Sequence, residues 1–85
     1  MALIEVSPQG GSAFSVHVDG RSFAVTVAES LPGELGAPDP ESLVRSSFEF
    51  LLEREPVSSI LPRFDLVVIE RYFPEWRETM RRRWR

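Results

Sequence analysis

In "AFSVHVDGRSFAVTV", residues 13–27, apolar and polar positions alternate on both sides of Asp19-Gly20. Alternation is the period of a half-buried strand. Asp-Gly between two such runs marks a hairpin, because a type I′ turn needs positive φ at both central residues. A two-residue loop fixes the expected register: Val18 faces Arg21, Val16 faces Phe23 and Phe14 faces Val25. One face then carries Phe14, Val16, Val18, Phe23, Val25 and Val27, a set that a one-residue slip would scatter. The stretch "ALIEV", residues 2–6, predicts a third strand with Ile4 and Val6 inward, joined by the loop "SPQGG". A lone hairpin is marginal in water, so this sheet needs its third strand and a helical cover.

Past residue 38 the period changes. In "DPESLVRSSFEFLLERE", Asp39 suits an N-cap, Pro40 the first helical position and Glu41 the positive end of the dipole. Leu43, Val44, Phe48, Phe50, Leu51 and Leu52 cover about half the circumference, as in a helix packed on several sides. Arg45, Glu49 and Glu53 lie opposite, and Glu41–Arg45 forms a well-oriented i,i+4 pair. Pro56 ends the helix by excluding Glu55 from the helical region. The intervening "ESLPGELGAP", residues 29–38, reads as a turn-rich linker, with Leu31 and Leu35 tucked against the core.

"PVSSILP" supplies at most one helical turn. In "RFDLVVIERYF" the β-branched Val67, Val68 and Ile69 favour a strand. Asp65 as an N-cap and the spacing Leu66, Ile69, Phe73, Trp76, Met80 favour a helix, which is the reading adopted. Pro74 holds Phe73 outside the helical region and so divides this stretch into two helices. On the second, Trp76, Met80 and Trp84 share a face, with Arg77, Arg81 and Arg85 on the adjacent stripe.

The expectation is one α+β domain over residues 1–85. A three-stranded antiparallel β-meander (2–28) and a linker (29–38) precede a helical part (39–85), whose three to four helices pack on one face and end in an Arg-rich helix. Many small bacterial proteins share that order, a likeness of fold that carries no function.

Composition narrows the function classes. No apolar run approaches the ~20 residues needed to span a bilayer. The N-terminus has no basic start, so no signal peptide is expected and the cytoplasm is the expected location. The absence of cysteine removes disulfide and thiol chemistry. All ten basic residues are Arg, usage that codon bias in a GC-rich genome explains without phosphate recognition. A net charge of −3 and a pI near 5.1 argue against a globally basic nucleic-acid binder. The charge is unevenly spread, however. Residues 1–62 hold three Arg against nine acids, a balance of −6, whereas residues 63–85 hold seven Arg against four acids, a balance of +3.

That asymmetry makes the C-terminal helix the first candidate interaction surface, through Trp76, Arg77, Arg81, Arg82, Arg83, Trp84 and Arg85. Cations complement a helix C-terminus by ~0.3–1 kcal/mol each, which accounts for one or two arginines. The others repel one another, and Trp with Arg is the composition of protein–protein hot spots. The partner would be an acidic protein, the acidic body of a second copy, or nucleic acid. The second candidate is the other sheet face: Ala13, Ser15, His17, Ser22, Ala24 and Thr26. These side chains are small or weakly polar, and none counts as charged at pH 7. A solvated sheet face ordinarily carries long charged chains, whereas this one suits close approach by a second copy.

Signals for chemistry are few. One His, no Cys and no DxDxDG-like loop leave no metal site. His17 and Ser22 are cross-strand neighbours without an orienting acid or oxyanion hole, and Asp19 in the turn is too exposed to serve. There is no P-loop, GxGxxG or acid/base carboxylate pair. A helix-turn-helix ending in "LVVIERY" would present a mostly apolar helix to the major groove. The reading is a non-enzymatic interaction or regulatory module without cofactor or membrane contact, self-associating as a homodimer. The alternative is nucleic-acid binding through the Arg-rich helix.

Overall fold

The computed structural model describes residues 3–84. Alternation and turn chemistry settle its first half. β1 (Ile4–Pro8), β2 (Ala13–Val18) and β3 (Arg21–Thr26) form an antiparallel meander. The β2–β3 register is the expected one, from Val18 opposite Arg21 to Ala13 opposite Thr26. Asp19 and Gly20 turn the chain with φ of 48° and 78°, as a type I′ turn requires. β1 keeps Ile4 and Val6 inward but takes in Ser7 and Pro8, which the sequence reading assigned to the loop. Ala2, the expected start of that strand, lies outside the described residues.

The three-stranded expectation is corrected by a fourth strand, β4 (Arg63–Asp65), which pairs parallel to β3 in the order β1-β2-β3-β4. Ala24 N–H donates to the Pro62 carbonyl and Leu66 N–H to the Thr26 carbonyl, both at 2.9 Å. Phe64 pairs with Val25, and its ring lies 6.0 Å from that of Phe48. The reading of Asp65 as an N-cap also changes. Its Oδ2 accepts the Thr26 hydroxyl at 2.9 Å and its Oδ1 the Val67 N–H at 3.2 Å. The side chain thus ties β4 to β3 and forms the local turn leading to the next helix.

The helical cover comprises α1 (Leu31–Glu34), α2 (Pro40–Leu52), a 3₁₀ turn (Val57–Ser59), α3 (Val68–Tyr72) and α4 (Trp76–Arg83). The expected linker therefore contains one helical turn, and it buries Leu31 and Leu35 as anticipated. Asp39 caps α2, accepting the Ser42 N–H at 2.7 Å. α2 lies across the apolar sheet face, with the Phe48 ring 5.3 Å from that of Phe23. The Glu41–Arg45 pair does not form. Arg45 Nη1 instead donates to the Ile4 carbonyl at the sheet edge. With that carbonyl occupied and Pro8 contributing no N–H, β1 offers little of its outer edge to a further strand. Pro74 separates α3 from α4, as expected. No helix among the described residues is long and apolar enough to cross a membrane.

Candidate functional site

The apolar strand residues are buried beneath the helical cover, whereas the residues of the second sheet face are exposed or half-exposed. Its central strands present Ala13, Ser15 and His17 beside Ser22, Ala24 and Thr26. The structure thus places the six sequence-predicted residues together on one continuous surface. Glu5 and Ser7 extend it on β1, opposite His17 and Ser15, and Arg63 and Asp65 extend it on β4, opposite Ala24 and Thr26. A shallow groove runs along it around Ala24, with Gln9 at one end and Arg63 and Asp65 at the side. Glu5, Arg63 and Asp65 are additions to the sequence-predicted face. The register of β1 placed Glu5 in principle, but Arg63 and Asp65 became visible only with β4.

His17 sits at the centre of a hydroxyl network. Its Nε2 lies 3.2 Å from Ser15 Oγ and its Nδ1 3.0 Å from Ser22 Oγ. A neutral imidazole donates from one nitrogen and accepts at the other, so one serine receives a proton and the other gives one. The two serines give each ring nitrogen a hydroxyl partner. Acyl-transfer chemistry would also require oxyanion donors in a water-excluded site. His17 is exposed on an open surface.

The Arg-rich helix is arranged differently. Trp76 and Met80 are buried completely, which removes Trp76 from the candidate surface. The Trp76 indole N–H donates to Ser47 Oγ at 3.1 Å, and Ser47 Oγ contacts Met80 Sδ at 3.8 Å. Ser47 went unread in the sequence although it continues the stripe Leu43, Ser47, Leu51 at four-residue spacing. Trp84 is half-buried against the same core.

The arginines around this anchor meet acceptors within the chain. Arg77 Nε pairs with Glu70 at 2.8 Å and its Nη1 with Glu34 at 3.5 Å. Arg83 pairs with Glu49 at 2.8 Å, Arg82 with Glu78 at 3.3 Å, and Arg81 Nε donates to the Glu34 carbonyl at 3.4 Å. Arg85 lies outside the described residues. The hydrogen bond from Arg77 holds the Glu70 carboxyl below its ordinary pKa of 4.5, with the charges of Arg77 and Arg81 adding to the effect against some desolvation. Conversely, Glu70 raises the Arg77 guanidinium above its ordinary range. The C-terminal arginines thus meet acceptors of their own chain, Glu34 and Glu49 in its acidic part and Glu70 and Glu78 in the C-terminal segment itself.

Comparison with protein families, with curated proteins and with solved structures finds no match to this chain.

Proposed function

We propose that this protein is a non-enzymatic interaction module that pairs with a second copy through its bare sheet face. The observation that carries this reading is the one-sided cover of the sheet. Four strands are roofed by helices on one side, while the other presents small side chains around Ala24. Two such faces can approach closely, because the centre holds no long charged chain to desolvate.

Charge at the two edges supports a self-complementary arrangement. Glu5 lies on β1 and Arg63 on β4, at opposite sides of the sheet, and among the described residues neither has a partner. A two-fold axis along the strands sets β1 of one copy over β4 of the other. Arg63 is level with Ser7 in the sheet, so this brings Glu5 of one copy two residues along the strand from Arg63 of the other, once on each side of the axis, as an isologous interface requires.

At ~4.8 Å between strands and ~3.4 Å per residue, the face has a footprint of roughly 400 Å². Stable interfaces bury about 800 Å² per partner, so association is expected to be weak and concentration-dependent. Light scattering on size-exclusion fractions should show monomer at low micromolar and dimer at high micromolar concentration. Ala24→Arg, at an exposed position, should abolish the dimer without lowering the melting temperature. A monomer throughout, or a dimer unaffected by Ala24→Arg, overturns the proposal.

The nucleic-acid reading rests on the tail arginines. It is disfavoured because those described already engage carboxylates or a carbonyl of the same chain, contacts that phosphate would have to displace.

A further inference from the structure

On the helical side, away from the bare face, the end of α2, the 3₁₀ turn, β4 and α3 enclose a pocket of about 170 Å³. Its wall is apolar: Leu51 and Ile60 are buried, and Phe64, Tyr72 and Phe73 contribute three aromatic side chains. Tyr72 is 67% exposed, as expected of a residue at a mouth and not in a core. A pocket of about 150 Å³ with such a lining is large enough for one benzene ring, so this one admits a compact group of similar size.

One charged side chain reaches the pocket, Glu55. The chain bends there after α2, and the backbone is held by a hydrogen bond from Glu55 N–H to the Leu51 carbonyl at 2.9 Å. Glu55 is half-buried, and its side chain has no partner among the described residues. This contrasts with Glu34, Glu49, Glu70, Glu75 and Glu78, each of which meets an arginine. A carboxylate beside apolar surface and without a counter-ion is available to meet a bound cation. Aromatic side chains also attract a cation, and such groupings recognise alkylated ammonium ions.

We infer that this pocket binds a small organic cation, an alkylated ammonium group whose apolar body fills the cavity and whose charge is met by Glu55 and the aromatic wall. Size and charge select the class. A metal ion would find one carboxylate and no second acidic, His or Cys side chain in the lining, an anion would meet Glu55, and a large ring system would exceed the volume. The site is separate from the bare sheet face and independent of self-association.

The test uses choline as the probe and dimethylbutanol, its uncharged carbon isostere, as the control for shape. Amide chemical shifts followed during titration should move saturably with choline at residues around the pocket, among them Leu51, Ile60 and Phe64. Dimethylbutanol should bind about fivefold more weakly, the effect of one partly exposed ion pair. Glu55→Gln should bring the two affinities together, and Tyr72→Ala should weaken choline more than its isostere. Tyr72 is exposed and Glu55 half-buried, and neither substitution should disturb the fold, which the remaining amide shifts would report. No saturable shift with choline, equal affinity for the two probes in the wild-type protein, or a choline affinity unchanged in Glu55→Gln would each overturn the inference.

Discussion

The buried contact between Trp76 and Ser47 yields a quantitative test of how the C-terminal helix is held. Both residues are 0% exposed, and Ser47 is the acceptor 3.1 Å from the indole N–H. Ser47→Ala keeps the volume and removes the acceptor, stranding a buried donor at a cost of about 1–3 kcal/mol. For a domain of this size, 1 kcal/mol moves the melting temperature by about 4–8 °C. Trp76→Phe leaves part of the ring's space empty and should cost about 2–3 kcal/mol, below the roughly 3–5 of full truncation. It also strands the serine hydroxyl, which then has only the weak 3.8 Å contact with Met80 Sδ or a carbonyl of its own helix. The double variant strands neither group, so its destabilisation should fall short of the sum by about 1 kcal/mol. Urea unfolding followed by far-UV circular dichroism, with the slope unchanged, measures all four corners of the cycle. A Ser47→Ala variant as stable as wild type, together with strictly additive effects, would refute the argument that this polar contact orients α4.

Two further predictions concern charge. Because Arg77 depresses the Glu70 pKa below 4.5, the folded state binds this proton less readily than the unfolded one; the pair's stabilisation is present above about pH 4.5 and is lost as pH falls through the lower folded value. Glu70→Gln should remove that acid-dependent loss, giving a flatter stability curve below pH 5, and thermal melts across that range would reveal an unchanged slope if the reasoning fails. The triple change Arg81/Arg82/Arg83→Ala should cost stability that diminishes with added salt, on the scale of a few tenths of a kcal/mol per exposed pair; gel shifts at low salt should show no binding of duplex DNA or RNA by the wild-type protein, and a shift lost in the triple variant would restore the nucleic-acid reading.

The parts of this fold that could be read from the sequence are those where local chemistry and burial impose the same pattern. The hairpin register was fixed twice, by the positive-φ turn and by the alternating apolar face, so it could be assigned pair by pair. Asp39, Pro40 and the wide apolar arc likewise agreed on α2. β4 could not be read in this way. Three residues span too little of a two-residue period to show it, and the strand's contribution is a ladder with β3, a contact 39 residues away for Thr26 and Asp65. Arg45 shows the same limit, since an i,i+4 partner is visible in sequence and a carbonyl on β1 is not. The candidate sheet face was legible in its central strands, and its charged borders appeared only with the neighbouring strands.

The charge pattern likewise changed meaning once the chain was folded. A basic tail on an acidic chain looks like a hook for a partner, yet Glu34, Glu49 and Glu70 come from the three other helices and meet arginines of α4, while Glu78 pairs within α4. Four exposed pairs add little stability. Around a buried Trp76 the three pairs that join α4 to other helices still restrict the direction in which it lies. The more informative charges are those the fold leaves alone. Among the described residues without a partner, Arg21 and Glu29 are exposed at the start of β3 and in the loop after it, Asp19 belongs to the hairpin turn, Glu41 complements the N-terminus of α2 and Arg71 the C-terminus of α3. No such local role falls to Glu5, Arg63 or Glu55. The first two border the bare sheet face, and the third reaches into the apolar pocket. Arg77, Arg82 and Arg83 meet carboxylates of their own chain, whereas Glu5 and Arg63 beside the bare face and Glu55 beside the pocket do not meet a counter-ion, and this contrast supports the two proposed sites over the tail.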